Sequence, residues 1–120
     1  MLTFEESRRE LTALADGLPR GIFRELNGGI VLLPDTVWDD HGLLILGEYH
    51  TDPYGLGRYI TIYYGSLQEA FHGLPPAAFR DELRDVLYHE LTHHVEDLAG
   101  DNLLDIQDEL DIKGYLDDEW

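Results

Sequence analysis

Residues 89–93 read His-Glu-Leu-Thr-His, two imidazoles four positions apart with a carboxylate directly after the first. Four residues make slightly more than one turn of an α-helix, so His89 and His93 project from one face about 6 Å apart and can share a single metal ion. Glu90 falls beside them, where it can take a proton from a metal-bound water and return it to a leaving amine. Neutral imidazoles with a carboxylate suit Zn2+ better than Ca2+ or Mg2+, which take all-oxygen shells. With six His and eleven Glu in 120 residues, the pattern arises by chance about 0.03 times in a chain of this composition.

A catalytic zinc needs a third protein ligand and an open position for water. Glu96 cannot share the metal with both histidines, because it stands about 10 Å from His89 along the helix axis, and it reads as a supporting or solvated carboxylate. The third ligand is expected beyond Gly100. If two antiparallel helices meet there, the level between the histidines faces residue 109, which favours Asp108 or Glu109, with Asp105 nearer the bend and Asp101 at the turn itself. Asp108 is the expected metal ligand, and the spacing leaves the other three open. His94 lies at the edge of an apolar stripe and reads as a buried histidine with a backbone or carboxylate partner. His50 stands in the strand connection, from which it could approach a cleft, but His41, His50 and His72 read most simply as loop residues. Tyr49, Tyr59, Tyr63, Tyr64 and Tyr88 read as core or sheet residues, and nothing selects one of them as an oxyanion donor.

The helix that carries the motif is predicted over residues 77–98, after Pro75-Pro76 and before Ala99-Gly100. Leu83, Leu87, Leu91, Val95 and Leu98 form its apolar stripe, with the two histidines roughly opposite. Thr3-Phe-Glu-Glu6 has the form of a capping box and opens a first helix ending near Gly17. A short helix over 20–26 follows. Apolar, β-branched and aromatic runs at 30–33, 43–49 and 59–64, bounded by Gly, Pro and Asp, predict strands, the last two joined as a hairpin. Ser66-Leu-Gln-Glu69 predicts a second capping box and a helix to Gly73. A last helix, capped by Asp101 or Asn102, contains Leu103, Ile106 and Leu110 and is open to interruption at Gly114. The order predicts one α+β domain over residues 1–120, a small mostly antiparallel sheet packed against the motif helix and a C-terminal helical hairpin.

Composition narrows the function classes. Asp and Glu number 25 against 8 Lys and Arg, a net charge of −17, which argues against nucleic acid and anionic membranes as partners. The charge is uneven: residues 1–80 carry −5 and residues 81–120 carry −12. Cysteine is absent, so no thiolate site or disulfide is available. The first residues lack the basic and apolar regions of an export signal and no apolar run reaches the roughly 20 residues that span a bilayer, so a cytoplasmic location is expected.

The run His89-Glu-Leu-Thr-His-His-Val-Glu-Asp-Leu-Ala-Gly100, followed by Asp105-Ile-Gln-Asp108, resembles the small bacterial zinc metallopeptidase family with a minimal zincin-like domain. Leu26-Asn-Gly-Gly-Ile-Val-Leu-Leu-Pro34, Gly47-Glu-Tyr-His50 and Ile62-Tyr-Tyr-Gly-Ser66 are similar to that family too. The resemblance implies a small sheet beside an active-site helix, zinc on His89 and His93, Glu90 as base and a third, acidic ligand. Its usual Asp, three residues after the Gly, is replaced here by Leu103, and Asp108-Glu-Leu110 resembles a displaced counterpart. The expected function is a zinc-dependent hydrolase of peptide or protein substrates. The alternative is a non-catalytic binding module whose acidic C-terminal third docks a basic protein partner.

Overall fold

Thr3 Oγ1 accepts a hydrogen bond from the Glu6 amide at 3.1 Å, and Glu6 Oε1 accepts one from the Thr3 amide at 2.9 Å, so the first capping box forms and opens helix α1, Phe4–Asp16. A single 3-10 turn, Arg20–Phe23, follows and buries Ile22 completely. The chain then enters five strands: β1 Gly29–Leu33, β2 Val37–Trp38, β3 Leu44–Ile45, β4 Gly47–Asp52 and β5 Gly57–Tyr63. Three helices complete the order, α2 Tyr64–Phe71, α3 Pro76–Gly100 and α4 Ile106–Asp117. The computed structural model describes residues 1–117, without the side chains of Ile106 and Asp117. The expected apolar role of Ile106 and the end of the 1–120 domain therefore lie outside the described residues.

The fold is the expected α+β, and two of its three strand pairings are antiparallel, the parallel one making the larger sheet mixed. In the three-stranded sheet the order is β1-β5-β4. β4 pairs with β5 antiparallel, Tyr49 opposite Ile60, whereas β1 pairs with β5 parallel, Ile30 opposite Ile60. The β4–β5 hairpin accounts for both directions, because β5 returns beside β1 on its unpaired edge. β5 becomes the central strand, and Ile60 and Ile62 are fully buried. β4 is left at the edge. The apolar run at 43–49 does not make one strand. It divides at Leu46 into β3, which pairs with β2 as a small hairpin, and β4.

Ser66 shows why a capping pattern can mislead. β5 passes directly into α2 at Tyr64, and Ser66 instead donates to Val37 O at 3.3 Å and accepts from the Val37 amide at 2.9 Å, pinning β2. The helix α3 behaves as its stripe predicts, since Leu83, Leu87, Leu91, Val95 and Leu98 are all fully buried. It packs against α1, β4, β5 and α4. It ends at Gly100, two residues past the predicted Leu98. Asn102 takes the left-handed conformation (φ 59°), its amide bonding Ala99 O and the Leu103 amide bonding Leu98 O, which is the paired closure of a Schellman motif. α4 then starts only at Ile106 and continues through Gly114. Its Ile112 and Leu116 are buried, and Arg24 donates to Leu103 O at 2.9 Å, tying the connection to the 3-10 turn. Among the described residues no helix is long and apolar enough to cross a membrane.

Candidate functional site

His89 and His93 are exposed on α3 with their rings perpendicular and their Nε2 atoms 3.2 Å apart. Two nitrogens bound tetrahedrally to one Zn2+ at about 2.05 Å stand about 3.3 Å apart. The pair therefore has the spacing of two zinc ligands, which is also that of the hydrogen bond between the two rings. Thr92 takes no part, because its hydroxyl donates to Tyr88 O one turn back, at 2.8 Å.

Glu90 is 6% exposed, wedged between α3 and the edge strand. Gly47 makes that approach possible. A Cβ there would stand 3.0 Å from Val86 Cγ1, 3.2 Å from Thr61 O and 3.3 Å from Glu90 Cγ, so no larger residue leaves β4 this close to the carboxylate. Burial pushes the Glu90 carboxyl above the ordinary carboxylate range, and positive charge on His89 and His93 opposes that shift. A proton acceptor with raised affinity beside two metal-type donors is a pairing suited to general-base chemistry.

Between β4 and α3 runs an open groove of about 650 Å³, in which Glu48, Tyr49 and Asp97 face His89, Glu90 and His93. Glu48 and Asp97 are anchored. Tyr63 donates to Glu48 Oε1 at 2.6 Å and accepts from Thr61 at 3.2 Å, while His50 Nε2 lies 2.9 Å from Thr61 Oγ1 and stacks on Tyr59. Asp97 Oδ2 accepts from Tyr49 at 2.8 Å and from Arg58 Nε at 2.7 Å, and Arg58 also pairs with Asp101. Burial alone would raise Asp97, but the hydrogen bonds from Arg58 and Tyr49 and the guanidinium charge outweigh it and hold Asp97 below the usual carboxylate range. Tyr49 also lies 2.8 Å from His94 Nδ1, and His94 Nε2 lies 2.7 Å from Arg24 O. His94 is fully buried with a backbone partner, as its place on the helix predicts.

No family model and no curated protein matches the chain. A solved structure does: a conserved hypothetical protein from Thermo thermophilus is 32% identical, with a TM-score of 0.67 over 82% of this chain and 98% of that one. The chain belongs to the same family as that protein. Its name assigns no activity, and the assignment to the small bacterial zinc metallopeptidase family is not sustained. No family model supports it, and among the described residues no group of three or more His, Asp or Glu side chains is placed to hold a metal ion.

In this family member the expected third ligand, Asp108, is exposed in the first turn of α4, its amide bonded to Asp105 Oδ1 at 2.7 Å, and it does not line the groove. A bend at Gly100 would bring Asp108 level with the histidines; the turn closes at Asn102 instead and α4 begins later, which shifts the register of every acid beyond it. Asp101 pairs with Arg58, Asp105 caps α4, and Glu109 pairs with Lys113 at 3.0 Å. The motif does not select Gly47, Glu48, Tyr49, Arg58 or Asp97 as site residues. Two of them carry signals: an isolated Gly within a strand marks close backbone approach, and Asp97 stands four residues after His93 on the same helix face.

Proposed function

We propose that the chain is a zinc-dependent hydrolase that cleaves peptide bonds with Glu90 as general base. The observation that carries the reading is the 3.2 Å separation of the two Nε2 atoms with a buried carboxylate between them in sequence. His89 and His93 would hold the metal, and Glu48 of the groove and Asp108 are the candidates for a third ligand. Bound there, zinc supplies a Lewis acid that brings the pKa of its water near neutrality. Glu90 takes a proton from the attacking water on a carboxylate oxygen and passes it to the amine nitrogen of the departing half. β4, paired on one side only, offers free backbone groups to an extended peptide.

Metal analysis of untagged protein is expected to find one equivalent of zinc, lost in His89→Ala and weakened in whichever of Glu48→Gln and Asp108→Asn removes a ligand. Glu90→Gln should keep fold and zinc and lose about 10²–10⁴-fold in peptide turnover. Absence of bound zinc, with His89→Ala indistinguishable from wild type, sinks the reading.

A second reading is supported by the exposure of Asp105 before α4 and of Asp108 and Asp111 on it, within the segment of net charge −12. In it the chain binds a basic protein without catalysis. A salt-sensitive complex of that kind, together with a Glu90→Gln variant that changes no measured property, decides for binding.

A further inference from the structure

The sheet has a second open edge, on the side away from the groove. Among the described residues β1 pairs with β5 alone, so the backbone groups on its other side have no strand beside them. Its sequence, Gly-Ile-Val-Leu-Leu, lacks the charges that commonly guard a solitary edge, and Val31 at its centre is 40% exposed. Helix α1 lies next to it, and between the two is a hollow of about 210 Å³ walled by Leu11, Ala15, Ile30 and Leu32. Thr12 stands at the middle of the helical wall, and the two charged residues of the hollow, Arg8 and Asp16, flank it four positions to either side. Each charge is therefore about 6 Å from Thr12 along the helix axis. All three residues are exposed. Arg8 bonds Glu5 on its own helix through Nε and Nη2, an exposed pair of small worth that leaves other guanidinium donors for a second carboxylate.

We propose that two copies of the chain join along this edge, β1 against β1, antiparallel and with Val31 facing Val31. A twofold axis sets a patch against itself, so the patch must complement itself. β1 meets that condition. About Val31, Ile30 falls opposite Leu32 of the second copy; both point to the α1 side, where they line the hollow, and the β-branched valines meet on the other face. α1 meets it as well. Arg8 and Asp16 are opposite in sign and equally far from Thr12, which the hollow sets level with the centre of β1, so the axis brings Arg8 of each copy toward Asp16 of the other. An unrelated strand would gain the backbone bonds without the two ion pairs. Net charge also favours this edge: residues 1–34, which form it, hold four arginines and five acids, a net of −1 in a chain of −17. The joined sheet runs β4-β5-β1-β1-β5-β4 and leaves the groove at each β4 open. The inference is thus independent of the hydrolase reading.

Sedimentation equilibrium of the full chain, over a concentration series reaching about 1 mM, is expected to show a monomer–dimer equilibrium. Hydrogen exchange should find the β1 amides more protected at the high end of the series. Val31→Lys sets like charges face to face on the edge and should leave monomer alone; at a dilution where both chains are monomeric its thermal unfolding should match wild type, because Val31 is exposed. Arg8→Asp and Asp16→Arg each place like charges opposite one another at both ends of the axis and should weaken the dimer about tenfold. Combining the two restores opposite signs and should bring the wild-type affinity back. A monomer at every concentration, a dimer that Val31→Lys leaves intact, or a double change that associates no better than either single change overturns the proposal.

Discussion

Replacing Gly47 by Ala isolates the claim that the close approach of β4 to α3 positions Glu90. The Gly47 backbone is outside the left-handed region, so Ala adds no dihedral strain, and the reduced freedom of the unfolded chain alone would stabilise by about 0.4–1 kcal/mol. Against that, the new methyl would stand 3.0 Å from Val86 Cγ1, 3.2 Å from Thr61 O and 3.3 Å from Glu90 Cγ, all inside the roughly 3.5–4.0 Å at which carbon atoms pack. Thr61 O belongs to the central strand and Val86 is stiff at χ1, so Glu90 and β4 are the parts free to give. Overpacking of this kind costs about 1–3 kcal/mol, and subtracting the chain-entropy gain leaves a net loss on the order of 0.5–2 kcal/mol. A carboxylate displaced by about 1 Å loses on the order of 10²-fold in rate. Urea denaturation and peptide turnover check the two parts together: stability should fall, and turnover should fall about 10–100-fold. A variant as stable and as active as wild type refutes the reasoning.

Tyr49→Phe removes the hydroxyl that bonds Asp97 and stands beside buried His94, and should cost about 1–3 kcal/mol in urea denaturation because it leaves buried His94 Nδ1 unpaired. Asp97 is held below its ordinary value of 3.8 in the folded chain, so its contribution is full above that value and is lost as pH falls through the folded one. Asp97→Asn should therefore be less stable than wild type near neutral pH, and the difference should vanish in acid; a gap that persists below the folded value would show that charge is not its source. Thr3→Ala breaks the capping box and should lower stability by about 1 kcal/mol, while zinc affinity measured by titration stays unchanged.

The helices were legible where side-chain type and backbone need coincide. Thr3 and Glu6 satisfy each other's amides within four residues, and the stripe from Leu83 to Leu98 needs only a period. Where a residue serves a distant partner, local pattern misleads. Ser66 has the sequence of a cap yet holds Val37, 29 positions away. Gly100 has the chemistry of a terminator, yet Asn102 takes the left-handed turn, because Leu98 and Ala99 carbonyls find their partners one turn later. The parallel pairing of β1 with β5 likewise depends on the whole hairpin between them and leaves no mark in either strand.

The same division explains what was legible of the site. The histidine pair and Glu90 lie within five residues, so helical geometry alone puts the two imidazoles on one face, where their nitrogens stand 3.2 Å apart. The opposite wall of the groove comes from β4, some forty positions earlier, and its register against α3 is decided by the absence of a side chain at Gly47. That register brings Glu48 and Tyr49 to the groove, and Asp97 completes the wall from α3's own next turn. Acid density in the C-terminal segment points instead to α4. Most of those charges meet solvent, and Glu48 and Asp97, two of the carboxylates that line the groove, are bound by a tyrosine and an arginine. Those bonds hold Glu48 and Asp97 in one direction, whereas Glu90, the third groove carboxylate, is placed by its burial against β4.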